Sequence, residues 1–175
     1  MKRTVVFAIA ISLSMLAAAC GSSDTPSTPS RTGIPTFTAT LRPSEETPPI
    51  TGAESTGTGT VTITLNVTKD SSGSVSTATA TFAVNLNGFP TGTPVNMAHI
   101  HQAVAGQNGG IVVSTSLASG EVMLANGSGS FTRSGIAVSP DIANQILANP
   151  AGFYFNIHST LNPGGAARGQ LVRVQ

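Results

Sequence analysis

GTVTITLNV at residues 59–67 and VSTATATFAVNL at residues 75–86 place an apolar side chain at every second position, with threonines between. In the first, Val61, Ile63, Leu65 and Val67 share a face. In the second, Ala78, Ala80, Phe82, Val84 and Leu86 do the same. Successive side chains of a strand point to opposite sides, so this period of two describes strands with one buried and one wetted face. Between the two runs stands Asp70-Ser71-Ser72-Gly73, the chemistry of a tight turn. The pair reads as an antiparallel hairpin.

The same texture extends on both sides. Shorter alternating runs cover residues 37–41, 97–101, 111–114, 121–124, 130–133, 153–158 and 169–174, punctuated by Gly, Pro and Asn. One segment differs. Ser139-Pro140-Asp141 supplies an N-cap, a proline for the first helical position and an acid in the first turn. Ile142, Ile146 and Leu147 then recur at helical spacing until Asn149-Pro150. This predicts a short helix over residues 140–148. Many antiparallel strands with one short helix define an all-β sandwich with Greek-key connections. With Cys20 as the only cysteine there is no internal disulfide, and the fold rests on its core.

The N-terminal 33 residues follow other rules. Lys2 and Arg3 precede an uncharged apolar run, residues 5–19, which is shorter than the about 20 residues that span a bilayer. It has the size of a signal-peptide core, and Ala17-Ala18-Ala19 lead into Cys20. The arrangement resembles a bacterial lipobox, although the usual Leu three before the cysteine is Ala17, with Leu16 one place early. That resemblance implies a diacylglycerol-linked Cys20 as the first mature residue and a membrane attachment through it. An ordinary secretory signal cut near Ala19 is the alternative, and it would leave a free thiol. Gly21 occupies the place where Asp favours inner-membrane retention, which points to the outer membrane in a two-membrane cell. Residues 21–33, GSSDTPSTPSRTG, have no apolar periodicity and read as a flexible tether able to reach roughly 40 Å. The expected organisation is therefore a signal over residues 1–19, a tether over 20–33 and one domain over 34–175.

Loss of Lys2 and Arg3 leaves six Lys and Arg against seven Asp and Glu. A near-neutral chain with no basic cluster excludes nucleic acid as a partner.

Three histidines are the candidates for metal or proton chemistry. His99 and His101 stand two apart in AHIH, so on a strand they share a face while Ile100 takes the other. His158 ends FNIH, sharing a face with Asn156. If these strands are neighbours, three neutral imidazoles converge, a ligand set suited to zinc or copper with an open position. In the alternative reading the histidines hydrogen-bond loop carbonyls and hold one end of the sandwich together. No second acid–base group lies near them in sequence, which weakens a catalytic role.

Asn162-Pro163-Gly164-Gly165 is strong turn chemistry, since proline fixes one φ and glycine permits positive ones. It should join two strands as a hairpin and bring His158 and Arg168 onto paired strands. A half-buried Arg168 needs an acceptor, and Glu46 is the expected partner.

Three blocks together resemble the CHRD domain, first described in chordin. They are LRPSEETPP at residues 41–49, AHIHQAVAGQNGGIVVSTSL at residues 98–117 and FYFNIHSTLNPGGAARGQL at residues 153–171. The resemblance runs from about Phe37 to Val174. Ala166 stands where the family often carries Glu. The resemblance implies an immunoglobulin-like fold and no general enzymatic activity. The expected function is thus a membrane-anchored extracytoplasmic module that binds a protein, a glycan or a metal ion. A metal-dependent envelope enzyme using His99, His101 and His158, distantly like copper/zinc superoxide dismutase, is the rival; it lacks that enzyme's bridging His and metal-binding Asp.

Overall fold

The computed structural model describes residues 33–175. The expected signal peptide, Cys20 and most of the tether lie outside the described residues.

Ten strands and one α-helix follow in order: β1 (Thr36–Leu41), β2 (Thr58–Lys69), β3 (Val75–Asn87), β4 (Thr93–Gln102), β5 (Gly110–Ser114), β6 (Val122–Leu124), β7 (Gly129–Val138), α1 (Pro140–Ala148), β8 (Phe153–Ser159), β9 (Ala167–Gln170) and β10 (Val172–Arg173). They form two antiparallel sheets. One runs β10–β1–β2–β3–β7; the other runs β5–β4–β8–β9, with β6 also paired to β4. The order β10–β1–β2–β3, in which a late strand returns beside the first of three consecutive ones, is the Greek-key arrangement. The protein is an all-β sandwich with a single short helix.

The register explains why the hairpin forms. Val61, Ile63 and Leu65 stand opposite Val84, Phe82 and Ala80, so both apolar faces coincide. A slip of one residue would turn every one of them to water. At the turn, the Asp70 carboxylate accepts from the backbone N–H of Ser72 at 2.9 Å and of Ser74 at 3.1 Å. Across the core, the rings of Phe82 and Phe155 stack with centroids 5.7 Å apart, joining the two sheets. Helix α1 starts where the sequence places it: the Ser139 hydroxyl accepts from Ile142 N–H at 3.4 Å, and Ala143 and Ile146 are buried.

Two features depart from expectation. The single strand predicted over residues 169–174 is split at Leu171, whose buried side chain turns into the core while the chain passes from one sheet to the other. At that corner the backbones of Arg42 and Arg168 exchange hydrogen bonds of 3.0 and 3.3 Å. Gly169 is required there, because the Thr40 carbonyl lies where a Cβ would stand. Second, β8 is buried along its whole length rather than on one face. Its inward residues fill the core, and its outward ones are roofed by three connections: residues 42–57, 103–109 and 160–166.

Candidate functional site

Strand β4 turns Ala98 and Ile100 into the core, so His99 and His101 face outward beneath that roof. Strand β8 does the same with Tyr154, Asn156 and His158. The two strands are adjacent, with His99 opposite Asn156, His101 opposite Tyr154 and Met97 opposite His158. The hairpin through residues 162–165 then sets Arg168 of β9 opposite Asn156. His99, Asn156 and Arg168 thus form one row across three strands.

The three imidazoles converge. One nitrogen from each lies within 4.8 Å of the others, and all three residues are buried. His99 Nδ1 stands 3.2 Å from His158 Nε2. The opposite nitrogens are occupied: His101 Nδ1 lies 3.0 Å from the Gly109 carbonyl, and His158 Nδ1 lies 3.0 Å from the Pro163 carbonyl. A carbonyl only accepts, so both Nδ1 atoms carry the proton and both Nε2 atoms present a lone pair. The loop-carbonyl bonds of the structural alternative therefore exist for His101 and His158, but they use one nitrogen of each of these two rings. His101 Nε2 is buried with no hydrogen-bond partner among the described residues. The His101 ring stacks on Tyr154, with centroids 4.8 Å apart and planes within 3°.

Burial lowers the proton affinity of all three rings. His99 is pushed down to about 4, by burial first and then by the neighbouring imidazoles His158 and His101. His101 and His158 are lowered by burial, partly offset by their carbonyl partners. All three are neutral near pH 7.

Arg168 is 3 % exposed and threads behind this cluster, its guanidinium 4.7 Å from the Tyr154 ring centroid. Its donors go to the Glu45 carbonyl at 2.5 Å, the Asn108 side chain at 2.8 Å, the Gln107 carbonyl at 3.3 Å and the Thr47 hydroxyl. Glu46, 6 % exposed, comes within 3.9 Å of Arg168 Nε but makes no hydrogen bond to it. The sequence brings the two charges together, yet neutral groups hold the arginine. Burial dominates at Glu46: its carboxyl is raised to about 7, against the pull of Arg168. Glu46 Oε1 and Asn156 Oδ1 are both buried without a hydrogen-bond partner among the described residues. Gly165, at φ 145°, separates these two side chains; a Cβ there would stand 2.6 Å from Glu46 Oε2 and 2.7 Å from Asn156 Nδ2. A cleft of about 300 Å³ lined by Glu46, Thr47, Asn108, Asn162 and Gly165 opens beside them.

Glu54 is the residue that sequence reasoning missed. It is 1 % exposed and accepts from Ser159 Oγ at 2.7 Å and Asn162 Nδ2 at 2.6 Å. It lies in TGAESTG, a polar stretch without periodicity, and no local signal marks it. Asn162 also closes the turn, its carbonyl accepting from Gly165 N–H at 3.1 Å, while Gly164 stands in open space.

The molecule is thus an all-β sandwich module that carries three convergent imidazoles on one roofed outer face. The family model of the CHRD domain matches residues 37–171, and the chain belongs to that family. No curated protein and no solved structure shows significant similarity to it.

Proposed function

We propose that this chain is a membrane-anchored, non-enzymatic envelope module whose CHRD domain binds one copper or zinc ion through His99, His101 and His158. The supporting observation is the set of three inward nitrogens within 4.8 Å, two of them aimed by carbonyls on the far side of their rings. Metal-ligating histidines usually give their other N–H to such an acceptor, which fixes tautomer and ring orientation. At metal–nitrogen distances of about 2.0–2.1 Å, tetrahedral ligand nitrogens stand roughly 3.3 Å apart. The 3.2 Å between His99 Nδ1 and His158 Nε2, a hydrogen bond in the metal-free protein with His99 as donor, fits that spacing once His99 shifts its proton to Nε2. His101 Nε2 lies within 4.8 Å of the other two, and as a buried acceptor without a donor among the described residues it costs about 1–3 kcal/mol that a cation would offset. Three protein ligands leave a fourth position open for water or for a donor atom of a protein or glycan partner.

The non-enzymatic reading follows the family. The anchoring reading follows the charged start, the apolar run and Cys20, and implies a lipid-attached protein facing out of the cell. Metal analysis of protein purified without a histidine tag tests the first reading. About one copper or zinc per chain supports it; none after incubation with either ion and desalting removes it.

A further inference from the structure

Two buried acids come from the same connection, residues 42–57, and lie against the 162–165 turn, but only one of them bonds to it. Glu46 reaches it at Gly165, beside Arg168. Glu54 reaches it at Asn162 and at Ser159, the residue after His158. The second contact is a closed set of bonds. One oxygen, Glu54 Oε2, accepts from the Asn162 amide and from the Ser159 hydroxyl; Asn162 N–H donates to Ser159 Oγ at 2.9 Å; Ser159 N–H donates to the Asn162 carbonyl at 3.3 Å. Bonds to a carboxylate are stronger than neutral ones, and two on one oxygen fix it in place. The next residue, Pro163, offers the carbonyl that holds His158 Nδ1.

We propose that Glu54 is the positioning residue of His158: through Asn162 it fixes the Pro163 carbonyl, and that carbonyl fixes the tautomer and direction of the imidazole. The inference rests on the metal reading for its consequence, though not for its geometry. Among the described residues no cation pairs with Glu54; its partners are the Ser159 hydroxyl at the end of β8 and the Asn162 amide of the turn it holds. A fully buried acid placed so is explained by what it orients. Removing it frees the turn, lets the Pro163 carbonyl swing away, and allows the His158 proton to move to Nε2, the nitrogen that must stay bare to ligate.

The test uses the full-length chain with ¹⁵N-labelled histidine. Long-range ¹H–¹⁵N spectra of the metal-free protein should show His158 as a single Nδ1–H tautomer. Glu54→Ala and Asn162→Ala should shift it to a tautomer mixture, whereas Glu54→Gln, whose amide oxygen still accepts both bonds, should keep it near wild type. Zinc titration of the same samples should show a 10- to 100-fold loss of affinity in the two alanine variants, the range expected for an outer-shell partner, with recovery in Glu54→Gln. Asn162→Ala keeps the Glu54–Ser159 bond, so it reports even if Glu54→Ala does not fold. An unchanged His158 tautomer in Asn162→Ala overturns the proposal. Tautomer mixing in a chain that binds no zinc supports the positioning role and defeats the metal reading instead.

Discussion

Replacing Glu46 with Gln changes one oxygen for an amide in a buried niche, and its effect on stability should depend on pH in a way no surface carboxylate would produce. Glu46 titrates near 7 in the folded protein against an ordinary 4.5, chiefly because burial penalises the charge. A group whose folded pKa is raised holds more protons in the native than in the unfolded state between those values, so it costs stability as pH rises through them. One pKa unit corresponds to about 1.4 kcal/mol. Integrated from pH 5 to pH 8, the wild type therefore loses roughly 2–3 kcal/mol that Glu46→Gln does not. The histidines act with the opposite sign, because His99 is held down to about 4 and its neutral form favours the fold as pH rises through 4 to 6.5. Wild-type stability alone thus mixes the two effects. The comparison with Glu46→Gln cancels the histidine contribution, which both proteins share. Urea unfolding of the metal-free proteins at pH 5, 6, 7 and 8 is the assay. Glu46→Gln should gain about 2–3 kcal/mol relative to wild type across the series. Curves that stay parallel within ~0.5 kcal/mol would show that Glu46 is solvated or that Arg168 fully compensates its charge.

Arg168→Ala should destabilise by about 3 kcal/mol or more, because it strands the Glu45 and Gln107 carbonyls and removes the cation 3.9 Å from Glu46; equilibrium unfolding at pH 7 decides it, and a loss under ~1 kcal/mol contradicts the packing described. Gly165→Ala should cost on the order of 2 kcal/mol, since the backbone there sits at φ 145° and the new methyl meets Glu46 and Asn156 together; a neutral change in melting would mean that the niche is looser than its geometry. Cys20→Ser should move the protein from the membrane to the soluble fraction, because several acyl chains at ~0.8 kcal/mol per buried CH₂ hold firmly; wild type that is wholly soluble with an unmodified Cys20 rules the anchor out.

The hairpin of β2 and β3 and the helix cap at Ser139 are legible in sequence because they are local. Period two and one N-cap suffice to specify them. The common face of His99 and His101 is legible for the same reason, and the Asn162–Gly165 turn places Arg168 opposite Asn156 once the hairpin closes. What the sequence hides is the roof. Nothing in residues 103–109 says that the Gly109 carbonyl will meet His101, or that the Gln107 carbonyl will accept a hydrogen bond from Arg168, since carbonyls are common to every residue. The Glu46–Arg168 expectation illustrates the limit. Scarcity of charge marks both residues, but the competition between burial and attraction is fixed by a niche assembled from three connections. Glu54 is hidden for the same reason: its partners lie more than a hundred residues away.

The central claim is that three imidazoles form one metal site. Calorimetric titration of Cu²⁺ and Zn²⁺ into the full-length, tag-free chain at neutral pH tests it most directly, beside His101→Ala and His158→Ala. The wild type should bind one ion, copper more tightly than zinc. Each variant should lose more than the 10- to 100-fold that removal of an outer-shell partner costs, while keeping the melting behaviour of a folded sandwich. Heat no greater than dilution for the wild type, or equal binding by all three proteins, would contradict the claim and leave the histidines as hydrogen-bonding groups that tie the roof to the sheet.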